Sequence, residues 1–255
     1  MTNDTGADWP SGVVRFPPRG TPERAAVFRA AMGVGVATGA YGVSFGAIGV
    51  ASGLNVAQTC VLSLFMFSGG SQFALVGILA AGGGVPAAAG TAALLGSRNS
   101  FYGLRLANLL RVSGWRRAAA AQLVVDESTA VATTQATEPA GRLGFWATGI
   151  AVFVLWNIAT LLGAVGAGLI ADPKVLGLDA AAPAAFAALL APRMRGREPW
   201  AIALGAAAVA LVAAPFVPAG VPVLLAAVVA IVAGLWRGPG PELADRAGEP
   251  SGEPA

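Results

Sequence analysis

Apolar residues in this chain come in long runs, without the alternation of a half-buried strand. Marked off by Gly, Pro and charge, the runs are eight, at roughly 30–52, 57–82, 87–110, 116–136, 144–170, 178–192, 200–216 and 220–236. A bilayer crossing takes about 20 apolar residues, and no charged side chain stands between Arg29 and Arg98. In lipid only helices and closed barrels satisfy their own backbone groups, and no barrel pattern is present. The prediction is an all-α, polytopic membrane protein.

Two of the runs carry polar interruptions. "FSGGSQFALV" places Ser68, Gly69, Gly70, Ser71 and Gln72 in the middle of the second, and "VVDESTAV" places Asp126, Glu127 and Ser128 in the middle of the fourth. Gly is a poor helix former, and a glutamine amide has four hydrogen-bonding sites that hydrocarbon cannot meet. Broken backbone at membrane depth is tolerated where it lines a cavity or is buried in protein. Paired interruptions of this kind point to a transporter binding site.

Arginine sets the orientation. Arg15, Arg19, Arg24 and Arg29 precede the first run, Arg111, Arg116 and Arg117 follow the third, and Arg142, Arg193, Arg195, Arg197 and Arg237 mark later boundaries. Counted back from a cytoplasmic Arg237, the last four runs alternate and both termini are cytoplasmic. If all the earlier runs crossed fully, Arg111, Arg116 and Arg117 would fall outside. The conflict vanishes if 57–82 and 116–136 each enter and return on one side, giving about six full crossings and two broken or re-entrant segments. Residues 1–26 and 238–255 are polar and Pro-rich and read as disordered cytoplasmic ends of a transporter domain at 27–237. The first 26 residues have no apolar core of the signal-peptide kind.

Composition narrows the chemistry. Only 11% of residues are charged, against about 25% in soluble domains. There is no histidine, and Cys60 is the single cysteine, so a Cys/His zinc site, an intrachain disulfide and histidine acid–base chemistry are all excluded. No metal or other cofactor is expected. The basic excess follows the membrane boundaries, so no nucleic-acid partner is implied; the partner is the lipid bilayer.

The candidate substrate-binding residues are Ser68, Gly69, Gly70, Ser71, Gln72, Arg98 and Asn99. A half-helix beginning at the first break would offer its N-terminus to an anion such as a carboxylate. Arg98, in "GSRNSFYG", meets either that anion or an internal acid, because an arginine in a membrane segment needs a partner. The packing alternative for the first break is that Gly69 and Gly70 admit a close neighbour while Gln72 bonds across to it. Asp126 and Glu127 are the candidate proton-coupling groups, since a carboxyl in a low-dielectric site can take up protons near neutral pH; their structural alternative is an ion pair with Arg98 or with Arg116 and Arg117. In the first run Gly35, Gly39, Gly42, Gly46 and Gly49 step by four and three and form a continuous packing face.

Taken in order, "GVSFGAIGVASGL", "FSGGSQFALVGILAAG", "SRNSFYGL", "VVDESTAVA" and "GLDAAAPAAFAALL" resemble the AzlC family, the large subunit of bacterial branched-chain amino acid exporters, over about residues 27–236. The resemblance departs at the third motif, where family members often have Asn and His and this chain has Gly96 and Asn99. It implies a secondary transporter that exports valine, leucine or isoleucine across the cytoplasmic membrane together with a small AzlD-type membrane subunit. Its rivals are a channel-like facilitator for a small anion and a membrane scaffold without transport. Enzyme activity is not expected: there is no Walker A pattern, and adjacent carboxylates on one helix diverge, unlike those of an aspartyl dyad.

Overall fold

A computed structural model describes residues 16–169, 187, 191, 194–217 and 221–236, which fall into two compact units, Met1–Ala188 and Leu189–Ala255. Residues 1–15, nearly all of the expected segment 178–192 and the tail from 237 lie outside the described residues. Every described element is helical.

Helix α1, Pro22–Ala51, starts within the stretch read as an arm. Thr21 caps it by accepting from the Arg24 amide, and Pro22 and Glu23 suit its first turn. The first unit continues through α2 (Val56–Phe65), α3 (Gly69–Ala80), α4 (Val85–Gly96), α5 (Arg98–Leu110), α6 (Trp115–Gln122) and α7 (Asp126–Thr133) to α8 (Glu138–Gly168). Helices α1 and α8, of 30 and 31 residues, are about 45 Å long and are the described helices that are long and apolar enough to cross a bilayer singly.

The pair α1 and α8 forms the spine, and glycine is the reason they fit. A methyl placed on Gly35 would lie 2.8 Å from the Ala151 Cβ, and one on Gly39 would lie 2.7 Å from the Leu155 Cβ. At Gly42 it would meet the Trp156 carbonyl at 2.6 Å, and at Gly46 and Gly163 it would run into the Thr160 and Val43 carbonyls. Gly49, read as the end of the same face, turns instead to Thr59 of α2. Partners rise together along both chains, so the helices are parallel. Their N-termini are joined where the Thr137 hydroxyl donates to Glu23 at 2.8 Å.

Fixed against this spine, the other segments can be traced end to end. Along α2, Thr59 sits beside Gly49, Ser63 bonds Thr160, and Phe67 just past its end stacks edge-on with Phe153, so α2 descends toward the α8 N-terminus. After the break at Met66–Ser68, α3 packs on α4, with Gly96 of α4 beside Ser71 of α3. Ser97 keeps helical dihedrals, so α4 and α5 make a nearly continuous rod of about 39 Å. The foot of that rod is pinned to the start of α8: Arg142 Nε donates to the Leu109 carbonyl at 2.7 Å, and Arg111 lies 3.9 Å from Glu138. The chain from 56 to 80 therefore begins and finishes at the end where α1 ends. The chain from 115 to 133 begins near that foot, passes Leu123 beside Gly149, and returns along α8 with Val131 against Gly144 and Ala132 against Gly141.

Each broken segment thus dips in and comes back, one from each end of the bundle, and their breaks meet at mid-depth. Arg142, expected in a loop, is instead buried in the second turn of α8, where it closes the open end of α5. In the second unit α9 (Arg197–Ala213) and α10 (Val221–Trp236) pack on each other, and neither has a buried residue.

Candidate functional site

The sequence dictates both breaks. At the first, Ser68 is extended and α3 resumes at Gly69 with no side-chain cap; Ser68 and Ser71 share a hydroxyl hydrogen bond of 3.1 Å. Two side-chain amides donate to carbonyls in the last turn of α2, where the Leu62 carbonyl also accepts from the Met66 amide at 2.9 Å. Gln72 Nε2 donates to Leu62 and Ser63 at 3.4 and 3.3 Å, and Gln122 Nε2, from the end of α6, donates to Leu64 at 2.7 Å. At the second break Ser128 is the closure: its hydroxyl donates to the Leu123 carbonyl at 2.6 Å and accepts from the Val125 amide at 3.1 Å. Asp126 and Glu127 then open α7, where negative charge suits a helix N-terminus.

Between the two breaks lies an open cleft of about 520 Å³, inside the ordinary range of small-molecule sites. Its lining combines apolar side chains, among them Phe65, Met66, Phe67, Leu75 and Val124, with polar ones, Ser68, Ser71, Ser97, Asn99, Ser100 and Gln122. Asn99 Oδ1 is buried and has no hydrogen-bond partner among the described residues.

Beside this lining Arg98 reaches from the head of α5 across both breaks. Its Nη2 lies 2.7 Å from Asp126 Oδ2, and a methyl on Gly70 would come within 3.1 Å of the same nitrogen. The Tyr102 hydroxyl donates to Asp126 Oδ1 at 2.7 Å. The Arg98 and Asp126 side chains keep 29% and 25% of their exposure, so the pair is only partly buried. Arg98 Nε is buried without a partner among the described residues. On the other side of the first break the Trp156 ring lies over Gly69, 3.4 Å from where a Cβ would stand, and stacks with Phe45.

Of the residues singled out from sequence, Ser68, Ser71 and Asn99 line the cleft. Gly70 and Arg98 meet each other at its edge, Gly69 lies against Trp156, and Gln72, fully buried, turns away to α2 as the packing alternative foresaw. Asp126 takes the ion pair with Arg98 that was its structural alternative. Glu127 stands half-buried beside it in the same turn. Sequence reasoning missed Tyr102, Gln122 and Trp156. Tyr102 was within reach, being four residues beyond Arg98 and so on its face of the helix. Gln122 carried the signal that drew attention to Gln72, an amide in an apolar run. Trp156 differs from a boundary tryptophan in standing at the middle of its run.

Comparison with known proteins agrees with this layout. The family model described as AzlC protein matches residues 33–170, more than half of the chain, from α1 to the end of α8 and including both breaks. No curated protein matches the chain, and no solved structure does. The chain is a helical membrane protein and belongs to the AzlC family, a transporter-associated family concerned with amino acids.

Proposed function

We propose that this chain is the large subunit of a two-component secondary transporter that exports branched-chain amino acids across the cytoplasmic membrane, with both termini in the cytoplasm and a small AzlD-type membrane subunit as partner. One observation carries the reading: two broken segments dip in from opposite ends of the bundle and meet at a cleft lined by both apolar and polar side chains. An α-amino acid with an aliphatic side chain needs both kinds of lining. The apolar residues take the side chain, while Ser68, Ser71 and Asn99 offer hydrogen bonds to the ammonium and carboxylate. Arg98 supplies the positive charge for that carboxylate. Irregular backbone in a membrane protein belongs where it lines such a cavity, and access from alternate sides calls for a movable element facing each side.

Proton coupling falls to Asp126 or Glu127, the only acidic residues in the two broken segments. The orientation follows from the arginines: the end that holds Arg24, Arg29, Arg111 and Arg142 is the cytoplasmic one.

The test is efflux of labelled L-leucine, L-valine and L-isoleucine from proteoliposomes holding the chain together with its small subunit. Saturable efflux that responds to a pH gradient is expected. A large unit conductance would replace the transporter with a channel, and absence of flux for all three substrates would refute the reading.

A further inference from the structure

Arg98 holds the only cationic side chain placed against both breaks among the described residues, and it is already engaged by a carboxylate. That carboxylate is in the geometry that a ligand would have to adopt. Asp126 Oδ2 sits 2.7 Å from Nη2 while Tyr102 steadies Oδ1 at 2.7 Å, and the absence of a side chain at Gly70 makes room for the guanidinium. The pair is a quarter or more exposed, and Arg98 Nε has no hydrogen-bond acceptor among the described residues. The residues before and after Arg98, Ser97 and Asn99, line the cleft.

We infer that Asp126 is an internal stand-in for the substrate carboxylate. A ligand carboxylate in the cleft takes Arg98 from it, and the tip of α7 then loses one of its ties to the rod while keeping the one through Tyr102. Asp126 and Tyr102 are thus positioning residues that set how readily the cleft accepts a carboxylate-bearing ligand. The inference rests on the amino-acid reading of the cleft and adds to it a specific competitor inside the protein.

Competition has a measurable sign. Apparent affinity is the intrinsic affinity multiplied by the fraction of molecules in which Arg98 is available. A partly exposed pair, worth up to about 1 kcal/mol, holds that fraction down by about two- to fivefold. Removing the competitor therefore tightens binding, which is the reverse of what loss of a ligand-contacting or structural residue does.

The experiment is equilibrium binding of L-leucine to the purified full-length chain with its small subunit, with L-leucinamide, which has no carboxylate, as the probe of charge. Wild type is expected to bind L-leucine and to discriminate against L-leucinamide. Asp126→Asn should bind L-leucine about two- to fivefold more tightly while still discriminating, and Tyr102→Phe about twofold more tightly. Unchanged or weaker L-leucine binding in both variants, with wild-type binding intact, overturns the inference and leaves the proposed function standing. If Asp126→Asn does not fold, Tyr102→Phe decides by the same sign. Failure of wild type to bind L-leucine, L-valine or L-isoleucine overturns the amino-acid reading, and the inference falls with it.

Discussion

Where α1 meets α8, glycine removes the side chain and backbone touches backbone; where the two broken segments meet, polar side chains make the join. The first seam is made by close packing. Its close approaches, at Gly35, Gly39, Gly42, Gly46 and Gly163, are between groups that cannot swing away. The second seam is a set of exchangeable partners: Arg98 with Asp126, Asp126 with Tyr102, Gln72 and Gln122 with carbonyls in the last turn of α2. Among the described residues, buried atoms without a partner lie at both seams, Trp156 Nε1 at the first and Arg98 Nε, Asn99 Oδ1 and Gln72 Oε1 at the second. Packed interfaces have one arrangement, whereas hydrogen-bonded ones can have two, so the spine is suited to be the frame and the breaks to be the moving parts.

That contrast is broken most directly by a single methyl in the spine. Gly46→Ala puts a Cβ into the carbonyl of Thr160, which belongs to backbone and cannot rotate aside. A loss of about 3 kcal/mol or more is expected, seen as a collapse in folded yield and in melting temperature in detergent. Gly103→Ala, where nothing lies within 4 Å, is the control. It should hold or raise the melting temperature, because alanine is the better helix former by up to about 1 kcal/mol. Equal behaviour of the two variants would show that the spine is not held by glycine.

Arg98→Gln should reverse the profile, with function lost and fold kept. A charge-assisted hydrogen bond is worth about 1.5–3 kcal/mol, so leucine flux should fall by about ten- to a hundredfold. The stability change should stay within about 1 kcal/mol, since the pair is partly exposed and ion pairs of that kind contribute little. A variant that unfolds would place Arg98 with the frame.

Gln72→Leu lies between the two. The side chain is fully buried, and its removal takes the amide donor from the Ser63 carbonyl and one of two donors from the Leu62 carbonyl, which keeps the Met66 amide. A loss of about 1–2 kcal/mol in unfolding free energy is expected. Gln72→Glu, which has no amide hydrogen to donate, should be at least as damaging, and a tolerated Glu would mean that these two long bonds contribute nothing.

Both breaks were legible in the sequence because Gly, Ser, Gln, Asp and Glu in an apolar run conflict with a lipid-facing helix wherever they occur. The glycine face of α1 was legible up to Gly46 by its four-and-three spacing. Gly49 shares that spacing, but α2 stands beside it there, and a helix face does not announce which neighbour covers it. Helix starts were read late: α1 begins at Pro22 and α8 at Glu138 rather than near 30 and 144, because apolar counting stops at Arg24, Arg29 and Arg142. Those arginines are helical nonetheless. Arg24 donates to the Pro17 carbonyl and Arg142 to Leu109, so their charges close chain ends instead of facing water. The Arg98–Asp126 pair was one of two partners foreseen for each residue, and only the fold decides between an internal acid and a ligand.

Asn99 gives the finest test, because it belongs to the polar seam yet holds nothing together. Its side-chain oxygen lies buried at the cleft and accepts from no described residue. Asn99→Ala therefore removes no bond from the protein itself, and the melting temperature should not move. If the oxygen accepts from the ammonium of a bound amino acid, its loss removes one hydrogen bond, with a net worth of about 0.5–1.5 kcal/mol. The half-saturation concentration for L-leucine should then rise about threefold, with the maximal rate unchanged. A fall in maximal rate at constant half-saturation would put Asn99 in the motion of the rod. A drop in melting temperature would return it to the packing of α5, and with it the claim that the unpartnered atoms of this seam are there for a ligand.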